Sequence, residues 1–346
     1  MEFKVKIHSV DYETEDAITI RFEASPAFEG YTPGQFINIF KVHRGKMLSR
    51  SYSFSSSPEA DELPAITIKK MAGGRLSVDL IATVKKGSLL KISEPMGKFS
   101  LKNHNLDDKH LIMIAGGSGI SPLFALLKSA LYKSEKVKIT LIYANKSEKS
   151  IIFQESLKAL QKLHEERLNI YHFLEEYSIQ SNFAYHHGYI SKAIVEQVLY
   201  SEISRTPEVY LCGPEAMMKA MLAHLQELNF RKDHIYTESF ASFSLKVNAV
   251  SKNASGKAEI TFLKGEHAFK IQLSQDKYIL QEALQQGLPL PYSCQEAMCG
   301  SCKIKLLLGK VNMVENYALT DKQLQEGYVL LCSSKAETKK ITLSYQ

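Results

Sequence analysis

Several things are scarce in this chain of 346 residues, and each scarcity narrows its chemistry. No apolar run approaches the length of a membrane span. The opening residues M-E-F-K-V-K alternate like a strand, where a secretory leader would carry an apolar core. Basic residues form no block. A formal net charge of +6 is spread along the chain, so no nucleic-acid patch and no membrane insertion are expected. Repeats and low-complexity tracts are absent. No Ser/His/Asp array or carboxylate pair suggests hydrolytic machinery. Cysteines number five, and four of them group in a way that leaves no disulfide framework. That fits a reducing compartment, and a cytoplasmic protein is expected.

Those four are Cys294, Cys299, Cys302 and Cys332, spaced C-x4-C-x2-C with the last far downstream. Structural zinc usually takes two C-x2-C knuckles, and this chain has one. The spacing is that of a plant-type [2Fe–2S] cluster, in which four thiolates hold two irons. A zinc site or simple buried thiols are the plainer alternatives. From Asn253 onward there are eleven lysines, no arginine and nine acidic residues, a balance near +2.

Length favours two or three domains. Residues 1–103 are strand-rich, with Phe3–Val10, Ala17–Glu23, Phe36–Val42, Ser51–Ser55 and Ala65–Lys70 punctuated by Gly and Pro, which predicts a closed antiparallel barrel. Residues 104–236 alternate strand and helix, which predicts a parallel sheet with nucleotide at the strands' carboxyl ends. Residues 237–254 read as a linker. Residues 255–346 hold the cysteine cluster behind two strands and a helix over Tyr278–Gln286.

Within the first segment, Arg50-Ser51-Tyr52-Ser53 offers a guanidinium for a pyrophosphate, an aromatic face and a hydroxyl. Four-residue matches are common, and alone this one is weak. Lys69 then leads to Gly73-Gly74-Arg75-Leu76-Ser77, a glycine turn before a helix that can seat an anion. In the second segment, Gly116-Gly117-Ser118-Gly119-Ile120-Ser121-Pro122 joins a buried strand to a helix, again a pyrophosphate geometry. It lacks both the Walker lysine and the third glycine of G-x-G-x-x-G. Cys212-Gly213-Pro214 ends a later strand, with Pro214 expected at the first helical position; alone, Cys212 reads as an inert buried thiol. Lys146 and Ser147 follow another strand and suit a ribose 2′-phosphate, with acidic Glu148 beside them. His186-His187-Gly188 reads as a loop ahead of a helix over Ser191–Leu199.

Taken in order over essentially the whole chain, these motifs resemble the ferredoxin–NADP reductase superfamily. The branch is the one with a C-terminal plant-type ferredoxin domain, as in reductase components of multicomponent oxygenases. The resemblance implies a multidomain fold: an antiparallel β-barrel flavin domain, an α/β parallel-sheet nucleotide domain, and an α+β (β-grasp) ferredoxin domain. It puts Arg50 on flavin phosphate, Tyr52 on the isoalloxazine and Ser53 near flavin N5, with Ser51 and Lys69 beside them. Gly74, Arg75, Leu76 and Ser77 match a second phosphate turn. Gly117, Ser118, Gly119 and Ser121 match the NAD(P)H turn, and Cys212, Gly213 and Pro214 lie beside the nicotinamide. Phe240 would cover the flavin face. The stretch S-F-S-S-S-P-E resembles the FAD branch, while a sister branch uses FMN. NADPH is expected from Lys146 and Ser147, with NADH as the alternative. Relatives usually have glycine where this chain has Ala297, which puts the cluster loop's geometry in question. The implied route is NAD(P)H to FAD to [2Fe–2S] to a separate acceptor protein. That acceptor is an oxygenase or epoxidase component in aromatic or acyl-CoA breakdown, or else a free ferredoxin or hybrid-cluster protein. A redox sensor with little turnover is the reading from another class.

Overall fold

The structure, a computed structural model, describes residues 2–43, 46–71, 73–102, 105–176, 185–201, 205–239, 256–265, 267–292, 295, 297 and 300–345. Met1–Ile37, Tyr52–Pro95 and Phe99–Ala241 form one compact unit; Asn38–Ser51, Met96–Lys98 and Ser242–Gln346 form the other.

The N-terminal strands are β1 (Glu2–Thr14), β2 (Ala17–Phe22), β3 (Phe36–His43), β4 (Lys46–Ser53), β5 (Ala65–Lys69) and β6 (Leu89–Ser93), with helix α1 (Leu76–Thr83) before β6. They join in the order β4-β3-β6-β1-β2-β5. Phe54, just past β4, bridges to Ile66 of β5 and closes the ring. Ile18, Ile20, Ile66 and Ile68 are fully buried along β2 and β5, with Phe22 and Phe54. β4 starts five residues earlier than the expected strand over Ser51–Ser55. Its sequence, K-M-L-S-R-S-Y-S, is too polar for hydrophobic alternation to reveal it.

The nucleotide sheet contains β7 (Lys109–Gly116), β8 (Lys138–Asn145), β9 (Leu168–Leu174), β10 (His186–His187), β11 (Thr206–Gly213) and β12 (Ile235–Ser239). Its order is β10-β9-β8-β7-β11-β12, with every pairing parallel. β7 is a continuous apolar run because both of its faces are covered. Helices α2 (Ile120–Lys133) and α3 (Gln154–Leu163) contribute to one core. Helices α4 (Lys192–Leu199) and α5 (Glu215–Glu227) contribute to the other. Strand order reverses between β7 and β11, and that switch point is where an open α/β sheet binds its ligand.

Two expectations change here. His186 and His187 form a short strand, not a loop: they pair with Phe173 and Leu174, and the His186 ring stacks on Phe173 at 4.8 Å. Thr237, Glu238 and Ser239, assigned above to the linker, continue β12 beside Leu211, Cys212 and Gly213.

The C-terminal part holds β13 (Lys257–Lys264), β14 (His267–Ser274), α6 (Ile279–Gln285), β15 (Lys303–Leu308), β16 (Val311–Met313), α7 (Asp321–Gln325), β17 (Tyr328–Leu330), β18 (Ser334–Ala336) and β19 (Lys340–Tyr345). Five strands form a mixed sheet, β14-β13-β19-β15-β17, in which β13 and β19 are parallel. Ile279, Leu280 and Ala283 of α6 are buried. β16 and β18 make a separate ribbon.

Candidate functional site

The two glycine-bearing turns meet at the switch point, and their glycines have steric reasons. A Cβ on Gly119 would stand 2.2 Å from the Cys212 carbonyl oxygen. One on Gly116 would stand 2.6 Å from Pro214 Cδ, and one on Gly213 would stand 3.0 Å from the Gly116 nitrogen. The β7–α2 and β11–α5 turns therefore touch through backbone, which only glycine permits. Gly117 has φ +51. The fully buried Tyr143 holds it from below: its hydroxyl donates to Gly117 O at 3.0 Å and accepts from Ile152 N–H at 3.3 Å. Ser118 lies in the single turn before α2. The Ser121 hydroxyl is buried and has no partner among the described residues. Pro214 is the N-cap of α5, one residue earlier than expected, because its extended ψ of 145° keeps it outside the helix.

Beside this junction lies a residue that the motifs did not single out. Glu238 sits opposite Cys212 in the β11–β12 pairing. Ser53, 3% exposed at the end of β4, donates its hydroxyl hydrogen to Glu238 Oε2 at 3.3 Å. Burial pushes the Glu238 carboxyl up to about 8, against the opposing effect of that hydrogen bond. The fully buried Cys212 thiol is also pushed up, first by burial and then by Glu238. A hydroxyl, a thiol and a mostly protonated carboxyl thus converge. The signal for Glu238 was an acid at the end of β12, hidden because residues 237–254 read as a linker.

Along β4 the pleat sends Arg50 and Tyr52 to one face, and Ser51 and Ser53 to the other. Arg50 is exposed, and its Nη1 donates to Ser49 O at 2.7 Å. Ser51 Oγ donates to Asn38 Oδ1 at 2.7 Å. Lys69 Nζ is 3.6 Å from Asp16. In the second turn, Arg75 is the N-cap of α1, Leu76 opens the helix, and Ser77 Oγ accepts from Met71 N–H at 3.3 Å. Gly74 cannot take a side chain without approaching Ser77 Oγ at 2.7 Å. Lys146 is exposed and pairs with Glu176 at 3.3 Å. Ser147 N–H donates to Ser150 Oγ, and Glu148 accepts from Tyr185 at 2.9 Å.

Phe240, Cys294 and Cys299 lie outside the described residues. Cys302 and Cys332 are 2% and 5% exposed. Ala297 N–H donates to Cys332 Sγ at 3.1 Å, and Leu331 N–H donates to Cys302 O at 3.3 Å. An amide aimed at a cysteine sulfur suits a thiolate carrying an iron–sulfur cluster. Gln295, Ala297 and Gly300 have φ of 61°, 58° and 64°. Ala297 thus takes the left-handed conformation that glycine would take more cheaply.

Comparisons with known proteins follow the same three segments. Residues 4–101 match an oxidoreductase FAD-binding domain, 113–222 an oxidoreductase NAD-binding domain, and 263–337 a 2Fe-2S iron-sulfur cluster binding domain. One component of the 1,2-phenylacetyl-CoA epoxidase of Escherichia coli (strain K12) is 30% identical over 98% of this chain and 96% of its own length. The chain belongs to the iron–sulfur flavoprotein reductases of the ferredoxin–NADP reductase superfamily. A second relative of this reductase is the ferredoxin reductase component of 3-ketosteroid-9-alpha-monooxygenase from Rhodococcus rhodochrous, 29% identical over 98% of the chain and 95% of the relative. The solved structure of phthalate dioxygenase reductase has the same fold end to end: TM-score 0.57 at 20% identity, covering 99% of this chain and 98% of that one. The reductase is an oxidoreductase with domains for FAD, NAD and a [2Fe–2S] cluster.

Proposed function

We propose that this reductase draws electrons from NADPH and delivers them, through FAD and the [2Fe–2S] cluster, to a separate oxygenase or epoxidase component. The observation that carries this reading is the near-complete, mutual coverage with the phenylacetyl-CoA epoxidase component. When bound, FAD would supply acceptance of an electron pair as hydride, and the cluster would supply one-electron transfer.

The chain's own residues bind and align. The Gly117–Gly119 turn and the start of α2 hold the nicotinamide coenzyme's pyrophosphate, with Tyr143 bracing the turn. Arg50 and the amides at the start of α1 hold flavin phosphate, and Tyr52 supplies the aromatic face. Ser53, Cys212 and Glu238 form a neutral wall. With Glu238 near 8, protonated exceeds ionised by roughly ten to one at pH 7, so the wall can hold a proton at the Glu238 carboxyl. Lys146 and Ser147 favour the coenzyme's 2′-phosphate. Cys294, Cys299, Cys302 and Cys332 ligate the cluster. Domain limits are those given at the outset, with β12 added to the nucleotide domain. Among the described residues no helix is long and apolar enough to cross a membrane, and a cytoplasmic location is part of this proposal.

The test is reconstitution with the purified oxygenase components of phenylacetyl-CoA epoxidase, phenylacetyl-CoA and NADPH. Epoxide formation that depends on this reductase is expected. Rapid reduction of an artificial acceptor without epoxide would assign it to a different partner.

A further inference from the structure

The Tyr345 hydroxyl has no function in the scheme so far. Its oxygen is buried, and no hydrogen-bond partner exists among the described residues. A buried hydroxyl left unpaired forfeits its hydration and gains nothing in return, so a missing partner is the simplest explanation.

The sheet register says where that partner lies. Lys305 opposes Ser344 and Leu306 opposes Leu343 in the antiparallel β15–β19 pair. One step further, Tyr345 comes opposite Ile304. Side chains alternate along a strand, so Ile304 shares the face that Tyr345 joins; Cys302, two residues before it and just outside β15, continues the ladder by accepting from Leu331 N–H at 3.3 Å. Ile304 and Cys302 are 1% and 2% exposed, so that face is interior. Cys332, the other described cysteine of the four, already receives the Ala297 amide. Among the described residues, Tyr345 is an unpaired donor on the Cys302 side.

We propose that Tyr345 is a positioning residue whose hydroxyl, unpaired among the described residues, donates an O–H···S hydrogen bond to a sulfur that the bound cluster itself would bring beside Cys302. The proposal rests on the [2Fe–2S] reading above. A donor to cluster sulfur stabilises the reduced, more negative state and raises the reduction potential. A tenfold change in a one-electron equilibrium is about 59 mV, and one hydrogen bond to sulfur is expected to contribute up to that size.

The experiment is an EPR-monitored potentiometric titration of the full-length holoprotein, wild type against Tyr345→Phe, with iron and sulfide content measured on each. The flavin potential serves as the internal reference. Tyr345→Phe is expected to lower the cluster potential by up to about tenfold in equilibrium constant and to leave the flavin potential unchanged. An unchanged cluster potential at full iron content overturns the proposal. Should Tyr345→Phe lose its cluster, 3,5-difluorotyrosine placed at position 345 decides. This ring keeps the hydroxyl and strengthens it as a donor, so the potential should move upward. No shift, or a downward one, overturns the proposal. A wild-type protein with no cluster EPR signal after reduction would defeat the cluster reading itself, a separate outcome.

Discussion

Replacing Glu238 with glutamine tests the neutral wall at its most unusual member. The folded carboxyl titrates near 8, against an ordinary value of 4.5. Between those values the folded protein holds a proton that the unfolded chain has released. Stability from this group is therefore fully present below 4.5 and is lost as pH rises through about 8. At about 1.4 kcal/mol per unit, the loss between pH 5 and 9 reaches about 4 kcal/mol at most, and roughly 2–4 kcal/mol once residual solvent screening is allowed for. Glutamine has the same shape, still accepts from Ser53, and does not titrate. Guanidinium unfolding of the flavin-loaded protein, followed by flavin fluorescence at pH 5, 7 and 9, should show wild type falling relative to Glu238→Gln across that range. The flavin reduction rate should also show a limb near pH 8 that is absent from the variant. Parallel stability curves for the two proteins would refute a proton held by Glu238.

Other perturbations test other parts. Gly119→Ala forces a Cβ against the Cys212 backbone, so it should destabilise by roughly 1–3 kcal/mol and raise KM for the nicotinamide coenzyme, measured by unfolding and steady-state kinetics. Ala297→Gly removes a left-handed alanine and should slow thermal loss of cluster absorbance, by an amount equivalent to about 1 kcal/mol; faster loss would count against strain there. Lys146→Ala should raise KM for NADPH several-fold and leave that for NADH unchanged; equal effects would remove Lys146 from coenzyme choice. Cys212, buried and held as a thiol, should resist iodoacetamide in the folded protein at pH 8, as peptide mass mapping can check.

Much of this was legible in the sequence because local chemistry forced it. The apolar run of β7 can only be a strand covered on both faces, and the turn glycines are demanded by backbone contact with Cys212 and Gly213. What stayed hidden depended on pairing. The polar β4 is a strand because its neighbours in the barrel make it one. His186 and His187 enter the sheet by pairing with Phe173 and Leu174, with the His186 ring stacked on Phe173. Glu238 gains its raised carboxyl only when β12 is buried beside β11, and the Ser53 hydroxyl that opposes the rise reaches it from 185 positions away. The Ala297 departure from the family pattern was visible, but its left-handed φ was not.

The most direct measurement is anaerobic stopped-flow reduction of the fully loaded protein by NADPH and, separately, by NADH, watching flavin and cluster absorbance together. Flavin bleaching followed by cluster bleaching, faster with NADPH, is predicted. A loaded protein that neither coenzyme reduces would contradict the reductase function.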